Sequence, residues 1–370
     1  MATFRVSSEA DVVEVVRGAR ESGGTLEIVG HGTKRGLGRP IECDDVLDLS
    51  CLSGIVSYEP DEMIITARAG TPVIEIEAAL AEKNQRLGFE PADWGPLFGA
   101  PADSATIGGV LSADANGSAA MRYGRCRDHL LGFCAVNGFG EAYKGGGKVV
   151  KNVTGFDLPK LFCGAMGTLG PLTEVTLRLF PKPSSAAIFA VRDLSLEDGL
   201  ALLRRVWSSP IESTGLAFLN GTAFIRLEGS RAALDEKIAM LRSLSVTEFQ
   251  QNSEGEAIFY NIASGRIAAD AESMLWRVHV PSANAAKLVA EIQPTAWCAD
   301  WAGGLLWLVS DRDVRARARA FDARPVQMRS GGSIPPFGLE DRVRAELTRR
   351  VKAAFDPLKL FNPGRMWEGV

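Results

Sequence analysis

The chain shows two textures of apolar and polar positions, and the change falls near residue 183. In the first stretch Val12, Val15, Val16 and Ala19 recur at helical spacing and predict an amphipathic helix over 7–22. A short strand over 25–29 follows, then paired strands over 54–58 and 63–69 joined by Glu59-Pro60-Asp61. Thr71-Pro72 reads as a helix start, a capping residue before a first-turn proline, with the helix running to about residue 87. Residues 88–147 are rich in Gly, Ala, Asp and Asn and predict loops and short elements. A strand over 175–180 stops at Pro181-Lys182-Pro183, a natural boundary.

Beyond that boundary one order recurs. A strand over 186–191, a helix over 196–207, strands over 215–219 and 223–227 and a helix over 230–243 come first. Then come a strand over 274–280, a helix over 283–292, strands over 296–299 and 305–309 and a helix over 313–321. The repeat predicts two split βαβ (ferredoxin-like) halves sharing one antiparallel sheet, a cap domain over the first. A last helix carries Leu339, Val343, Leu347, Val351 and Phe355 at four-residue spacing and is expected to dock on the core. It ends at Asp356-Pro357, before a tight turn at Phe361-Asn362-Pro363-Gly364. The expected fold class is α+β, with domains over 1–183 and 184–330 and a C-terminal segment, 331–370, packing back on the first.

With 370 residues the chain has room for two or three buried cores, and its 46% hydrophobic content is ordinary for a globular protein. A formal charge of −4 without a dense Lys/Arg cluster argues against nucleic-acid binding. Met1-Ala2-Thr3-Phe4-Arg5 lacks the apolar core of a signal peptide, and no apolar run approaches the ~20 residues that cross a bilayer. The expected location is the cytoplasm, with membrane contact only peripheral, at the inner face, through partners. Cys43, Cys51, Cys126, Cys134, Cys163 and Cys298 form no Cys-x-x-Cys pair, and no His is placed to suggest a zinc or iron–sulfur cradle with them, so no metal site is expected. They read as small buried hydrophobes.

Glycine loops dominate the first domain: Gly30-His31-Gly32-Thr33, Thr106-Ile107-Gly108-Gly109, Gly124 after Tyr123, Gly155-Phe156-Asp157, and Gly164 through Gly170. Several such loops between strands suggest a long cofactor in an extended groove, because glycine lets backbone approach a ligand closely. A dinucleotide fingerprint fails: counted from Gly30 the sixth position is Arg35, and Gly36-Leu37-Gly38-Arg39-Pro40 cannot open a helix. A Walker loop fails too, since Gly147-Lys148 is followed by Val149.

These blocks resemble the flavoprotein family typified by vanillyl-alcohol oxidase and p-cresol methylhydroxylase (PCMH). The resemblance is carried by Val29 to Thr33, Thr106 to Gly109 with Tyr123-Gly124, Val153-Thr154-Gly155-Phe156-Asp157-Leu158-Pro159-Lys160-Leu161-Phe162, and Phe355 to Gly364. It implies a two-subdomain PCMH-type domain with bound FAD. The cofactor residues it implies are Val29, Gly30, His31, Gly32, Thr33, Thr106, Ile107, Gly108, Gly109, Ser112, Gly117, Tyr123, Gly124, Val153 and Gly155. Backbone amides of Gly30 to Thr33 would form an anion nest for the pyrophosphate, with Lys34 or Arg35 screening its charge. Some members attach FAD to a loop histidine, at a position that is Thr33 here, so the resemblance implies non-covalent FAD.

The chain departs from the D-2-hydroxyacid dehydrogenases of that family, which carry a late His-x-His-x-Gly-Asp-Gly-Asn-type segment for metal and substrate. Only His31, His129 and His279 occur here. Arg277 and His279 share a face of one strand and, with Tyr123, are weak catalytic candidates; the catalytic residue stays unknown. Short length and the missing cluster resemble the smaller FAD-binding subunits of bacterial glycolate oxidase. That resemblance implies a larger flavoprotein subunit of D-lactate dehydrogenase type, an iron–sulfur subunit and a small 2-hydroxyacid substrate, with this chain as electron relay or supporting flavin subunit. A stand-alone FAD oxidase or dehydrogenase of another small alcohol, and a non-catalytic FAD-stabilised scaffold, stay open. Trp297, Trp301 and Trp307 read either as a partner surface or as core of the second domain's sheet.

Overall fold

The computed structural model describes residues 1–147, 157–244, 248–253, 255–266, 274–329, 336–338 and 342–369. It divides into two compact units. The first holds 1–115, 125–181 and 337–370, and the second holds 116–124 and 182–336.

The first unit begins with β1 (Thr3–Arg5), the helix Glu9–Ser22, β2 (Leu26–Val29) and β3 (Asp45–Asp48). The helix starts where the Ser8 hydroxyl accepts the Asp11 N–H and the Asp11 carboxylate accepts the Ser8 N–H, a capping box. It stops at Gly23, whose φ of 71° lies in the left-handed region. Its apolar stripe buries Val12 and Val16 against Leu26, Leu47, Val136 and Phe361. The three strands form a parallel sheet in the order β1-β3-β2.

A five-stranded antiparallel sheet follows, from β4 (Ile55–Glu59) and β5 (Ile64–Arg68) and, after the short β6 (Gln85–Arg86), β7 (Leu130–Val136), β8 (Ala142–Gly146) and β9 (Leu172–Arg178). Its order is β4-β5-β9-β7-β8, while β6 pairs with β10 (Phe180–Pro181). The helix expected to reach residue 87 spans only Val73–Ala81. Asn84 takes a φ of 52° and turns the chain into β6. Nor does Thr71 cap that helix: its hydroxyl donates to the Arg68 carbonyl at 2.7 Å, accepts the Gly54 N–H, and leaves Pro72 at the cap.

The second unit is built on one sheet, eight-stranded among the described residues. Its strands are β11 (Ser185–Val191), β12 (Gly215–Leu219), β13 (Thr222–Gly229), β14 (Gln250–Gln251), β15 (Leu275–His279), β16 (Ala296–Asp300), β17 (Leu305–Val309) and β18 (Arg324–Arg329). The order β14-β11-β13-β12-β16-β17-β15-β18 is two βαββαβ halves joined through the β12–β16 pairing, and every ladder is antiparallel. The first half's leading helix is Leu196–Trp207, capped by Ser195. The helix expected over 313–321 shrinks to Arg315–Arg319, where Asp313 binds Arg315 instead of extending the helix. Trp307 is fully buried and Trp297 stacks on Phe218 at 5.7 Å, so both belong to the sheet's packing.

The C-terminal helix, Arg342–Phe355, lies in the first unit, but not on the stripe that four-residue spacing marks. Val343 is 78% exposed and Leu347 59% exposed, whereas Ala345 and Lys352 are buried. A four-residue step overshoots a helical turn by about 40°, so Val343 and Phe355 point about 120° apart and one core face cannot take both. Leu339 lies outside the described residues.

Candidate functional site

The first unit's parallel sheet ends in a pocket. After β2 the chain enters Gly30-His31-Gly32-Thr33, where Gly32 has a φ of 69° and its carbonyl accepts the Arg35 N–H at 3.2 Å. The loop therefore turns back on itself. The backbone N–H groups of His31, Gly32, Thr33 and Lys34 make no hydrogen bond to any other described residue. Such a run of unengaged amides is an anion nest.

Lys34 is the cation of this loop. Its ammonium donates to Thr33 Oγ1 at 3.1 Å, and burial pushes it down from 10.5 to about 8, with Asp93 pulling in the opposite direction. Arg35 is committed elsewhere: its Nε donates to Glu27 Oε1 at 3.0 Å, and a second N–H makes a closer contact with Oε2. Arg365 is buried at the pocket edge, its charge disfavoured by burial and supported by Glu27.

The opposite wall is the helix Ile107–Ala113. Thr106 caps it by accepting the Gly109 N–H at 3.3 Å, while the Ile107 and Gly108 N–H groups donate to the Thr71 and Ala69 carbonyls. Because its first amides are satisfied, this wall offers close backbone rather than donors. Two glycines make that approach possible. A Cβ on Gly108 would stand 2.8 Å from the Ala69 backbone oxygen, and one on Gly30 would stand 2.4 Å from Thr106 Oγ1.

A third element closes the base. Asn362 Oδ1 accepts the Ile28 N–H at 2.9 Å, and its Nδ2 donates to the Met166 carbonyl at 2.8 Å. One side chain thus ties β2, the Gly164–Gly170 loop and the C-terminal segment together, and Ile28, Met166 and Asn362 all line the pocket. The donor set suits a diphosphate: unengaged amides, one half-buried ammonium, and walls that only Cβ-less residues allow.

Among the residues expected from sequence, Val29, Gly30, His31, Gly32, Thr33, Thr106, Gly108, Gly109 and Ser112 line this pocket. Ile107 is fully buried beside it, and the His31 ring nitrogen Nδ1 meets the Ser104 carbonyl at 2.8 Å. Gly117, Tyr123 and Gly124 belong to the second unit. There Ser118 donates to Asp300 at 2.6 Å, and the Trp301 indole donates to the Gly117 carbonyl. Val153 and Gly155 lie outside the described residues. Met166, Gly167, Asn362 and Arg365 also line the pocket. Met166 and Gly167 lie in the Gly164–Gly170 loop and Asn362 in the closing block, which are signals in the sequence, whereas Arg365 follows that block directly and carries none.

Arg277 and His279, on β15 of the second unit, lie 2.8 Å apart, Nη1 to Nε2. A guanidinium only donates, so His279 Nε2 is the acceptor and the imidazole carries its hydrogen on Nδ1. The Trp301 ring packs on both: 5.4 Å from the His279 ring and 5.6 Å from the guanidinium carbon. His279 Nε2 is therefore engaged and is not poised to take a proton from a substrate.

Comparison with known proteins agrees with this geometry. The pattern of the FAD binding domain family matches residues 1–146. Glycolate oxidase subunit GlcE of Escherichia coli K12 is 33% identical over 351 residues, covering 92% of each chain. Glycolate oxidase subunit GlcD of Bacillus subtilis 168 is 29% identical over 170 residues, 46% of this chain and 35% of that protein. Among solved structures, an alkyldihydroxyacetonephosphate synthase superposes with a TM-score of 0.71 at 15% identity, over 98% of this chain and 75% of the other.

Proposed function

Because the chain belongs to the family of FAD-binding oxidoreductases that includes glycolate oxidase subunit GlcE, we propose that it is the FAD-binding subunit of a complex oxidising glycolate to glyoxylate. The observation that carries this reading is the pocket of unengaged amides beside Lys34, faced by glycines with no room for a side chain. His31, Gly32, Thr33 and Lys34 would hold the cofactor's diphosphate through backbone N–H groups, and the Lys34 ammonium would balance its charge. Gly30 and Gly108 let the pocket walls pack against Thr106 and Ala69, and Gly109 and Ser112 would line the cofactor's path beside them. Attachment would be non-covalent: the family resemblance implies that Thr33 takes the linking histidine's position, and the His31 ring Nδ1 meets the Ser104 carbonyl. Bound FAD supplies a two-electron acceptor.

His279 is engaged by Arg277, which supports a relay or supporting role for this flavin rather than independent substrate chemistry. A larger GlcD-type flavoprotein subunit would oxidise the 2-hydroxyacid, and an iron–sulfur subunit would carry electrons onward. No helix among the described residues is long and apolar enough to cross a membrane, and contact with a membrane would come through those partners. The test is anaerobic glycolate added to the FAD-loaded chain, alone and with the GlcD-type subunit of the same genome. Bleaching of both flavins is expected only in the mixture. Bleaching of the lone chain would overturn the relay reading, and no bleaching in either sample would overturn glycolate as substrate.

A further inference from the structure

We propose that the groove beside the C-terminal helix is the docking site for an acidic, apolar helix of the larger subunit, an inference that rests on the complex proposed above. The helix Arg342–Phe355 is seated through Ala345 and Lys352, which leaves Val343 and Leu347 outward, one helical turn apart. Leu347 is also one wall of a groove whose other apolar sides are Leu161, Leu169, Val351, Met366 and Trp367. The strip and the groove therefore form one surface. A single exposed leucine is unremarkable, but a strip that continues into an apolar groove marks an interaction surface.

The charge of this surface selects its occupant. The exposed charges of the described helix are Arg342, Arg344, Arg349, Arg350 and Glu346, the last pairing with Arg349 at 3.6 Å, so Arg342 and Arg350 keep this face positive although the whole chain carries −4. Arginine keeps its charge at any working pH, so a partner bearing carboxylates is favoured over a basic one. An apolar recess beside the helix fits a protein side chain better than a flat plane of lipid headgroups.

The test is the affinity of the FAD-loaded chain for the GlcD-type subunit of the same genome, measured by sedimentation at low and high salt. Leu347→Glu and the double variant Arg349→Glu/Arg350→Glu are compared with the unaltered chain. Each is expected to weaken binding at least about tenfold, with flavin content and Tm unchanged, and the double variant to flatten the salt dependence as well. Val343→Glu, at a more exposed position, replaces Leu347→Glu if that variant folds poorly. Unchanged affinity in the variants would overturn the docking site and leave the subunit reading standing. No binding by the unaltered chain would overturn both. Binding of the unaltered chain to phosphatidylglycerol vesicles that Leu347→Glu abolishes, with subunit affinity intact, would assign the face to a membrane and overturn the proposal.

Discussion

Replacing Lys34 with methionine is expected to weaken FAD binding roughly 10- to 150-fold, the equivalent of the about 1.5–3 kcal/mol that a charged hydrogen bond contributes. Methionine keeps the length and apolar character of the lysine stem and removes only the charge. The effect carries a pH signature. Burial lowers the Lys34 ammonium from 10.5 to about 8 in the free protein. Above pH 8 the free site has largely lost its proton, and binding an anion must take one up. Affinity therefore falls as pH rises through about 8. The stability of the free protein moves the other way. A lysine depressed when folded penalises the folded state fully below pH 8, and the penalty fades as pH rises from 8 towards 10.5. Fluorescence titrations and thermal unfolding on either side of pH 8 should show opposite slopes in the unaltered protein and neither slope in Lys34→Met. The same affinity slope in the variant would show that another group senses the phosphate.

Breaking the Lys352–Asp356 pair is expected to destabilise the first unit by about 3–5 kcal/mol, the range for an orphaned buried charge. Both residues are buried. The ammonium donates to Asp356 Oδ2 at 2.6 Å, to the Thr168 carbonyl at 2.6 Å and to the Phe361 carbonyl at 2.9 Å. The carboxylate in turn accepts the Leu360 and Phe361 N–H groups, each at 2.9 Å. Those two residues lead to Asn362, the clip at the base of the pocket, and Leu360 accepts the Leu26 N–H. Lys352→Met strands a carboxylate and Asp356→Asn strands an ammonium, whereas the double variant strands neither charge. Urea unfolding should therefore give a double-variant loss smaller than the sum of the single losses. FAD affinity should fall with stability in both single variants. Additive losses would mean that the pair does not act as a unit.

Elements set by local chemistry were legible in the sequence. The helix Glu9–Ser22 has its capping serine, apolar spacing and terminal glycine in one stretch, and Leu196–Trp207 likewise follows Ser195. The repeated order of strands and helices announced the two sheet halves because each half is assembled from neighbours in the chain. What depended on distant partners was not legible. Thr71 reads as a cap until Gly54 and Arg68 arrive to occupy its hydroxyl. Val343 and Leu347 read as core until the buried face is seen to centre on Lys352, a residue type that seldom lies inside unless it is paired. The glycine loops pointed to the pocket, but Asn362 joins it across more than three hundred positions, and no local pattern encodes that contact.

Non-covalent FAD in the pocket after β2 is tested by the visible spectrum of the full chain loaded with FAD, freed of excess cofactor, and then precipitated with acid. About one flavin per chain is expected, all released to the supernatant, with a proportionate loss of bound flavin in Lys34→Met. A chain that retains no flavin would contradict the claim of a cofactor pocket. Flavin that stays with the precipitate would contradict its non-covalent attachment.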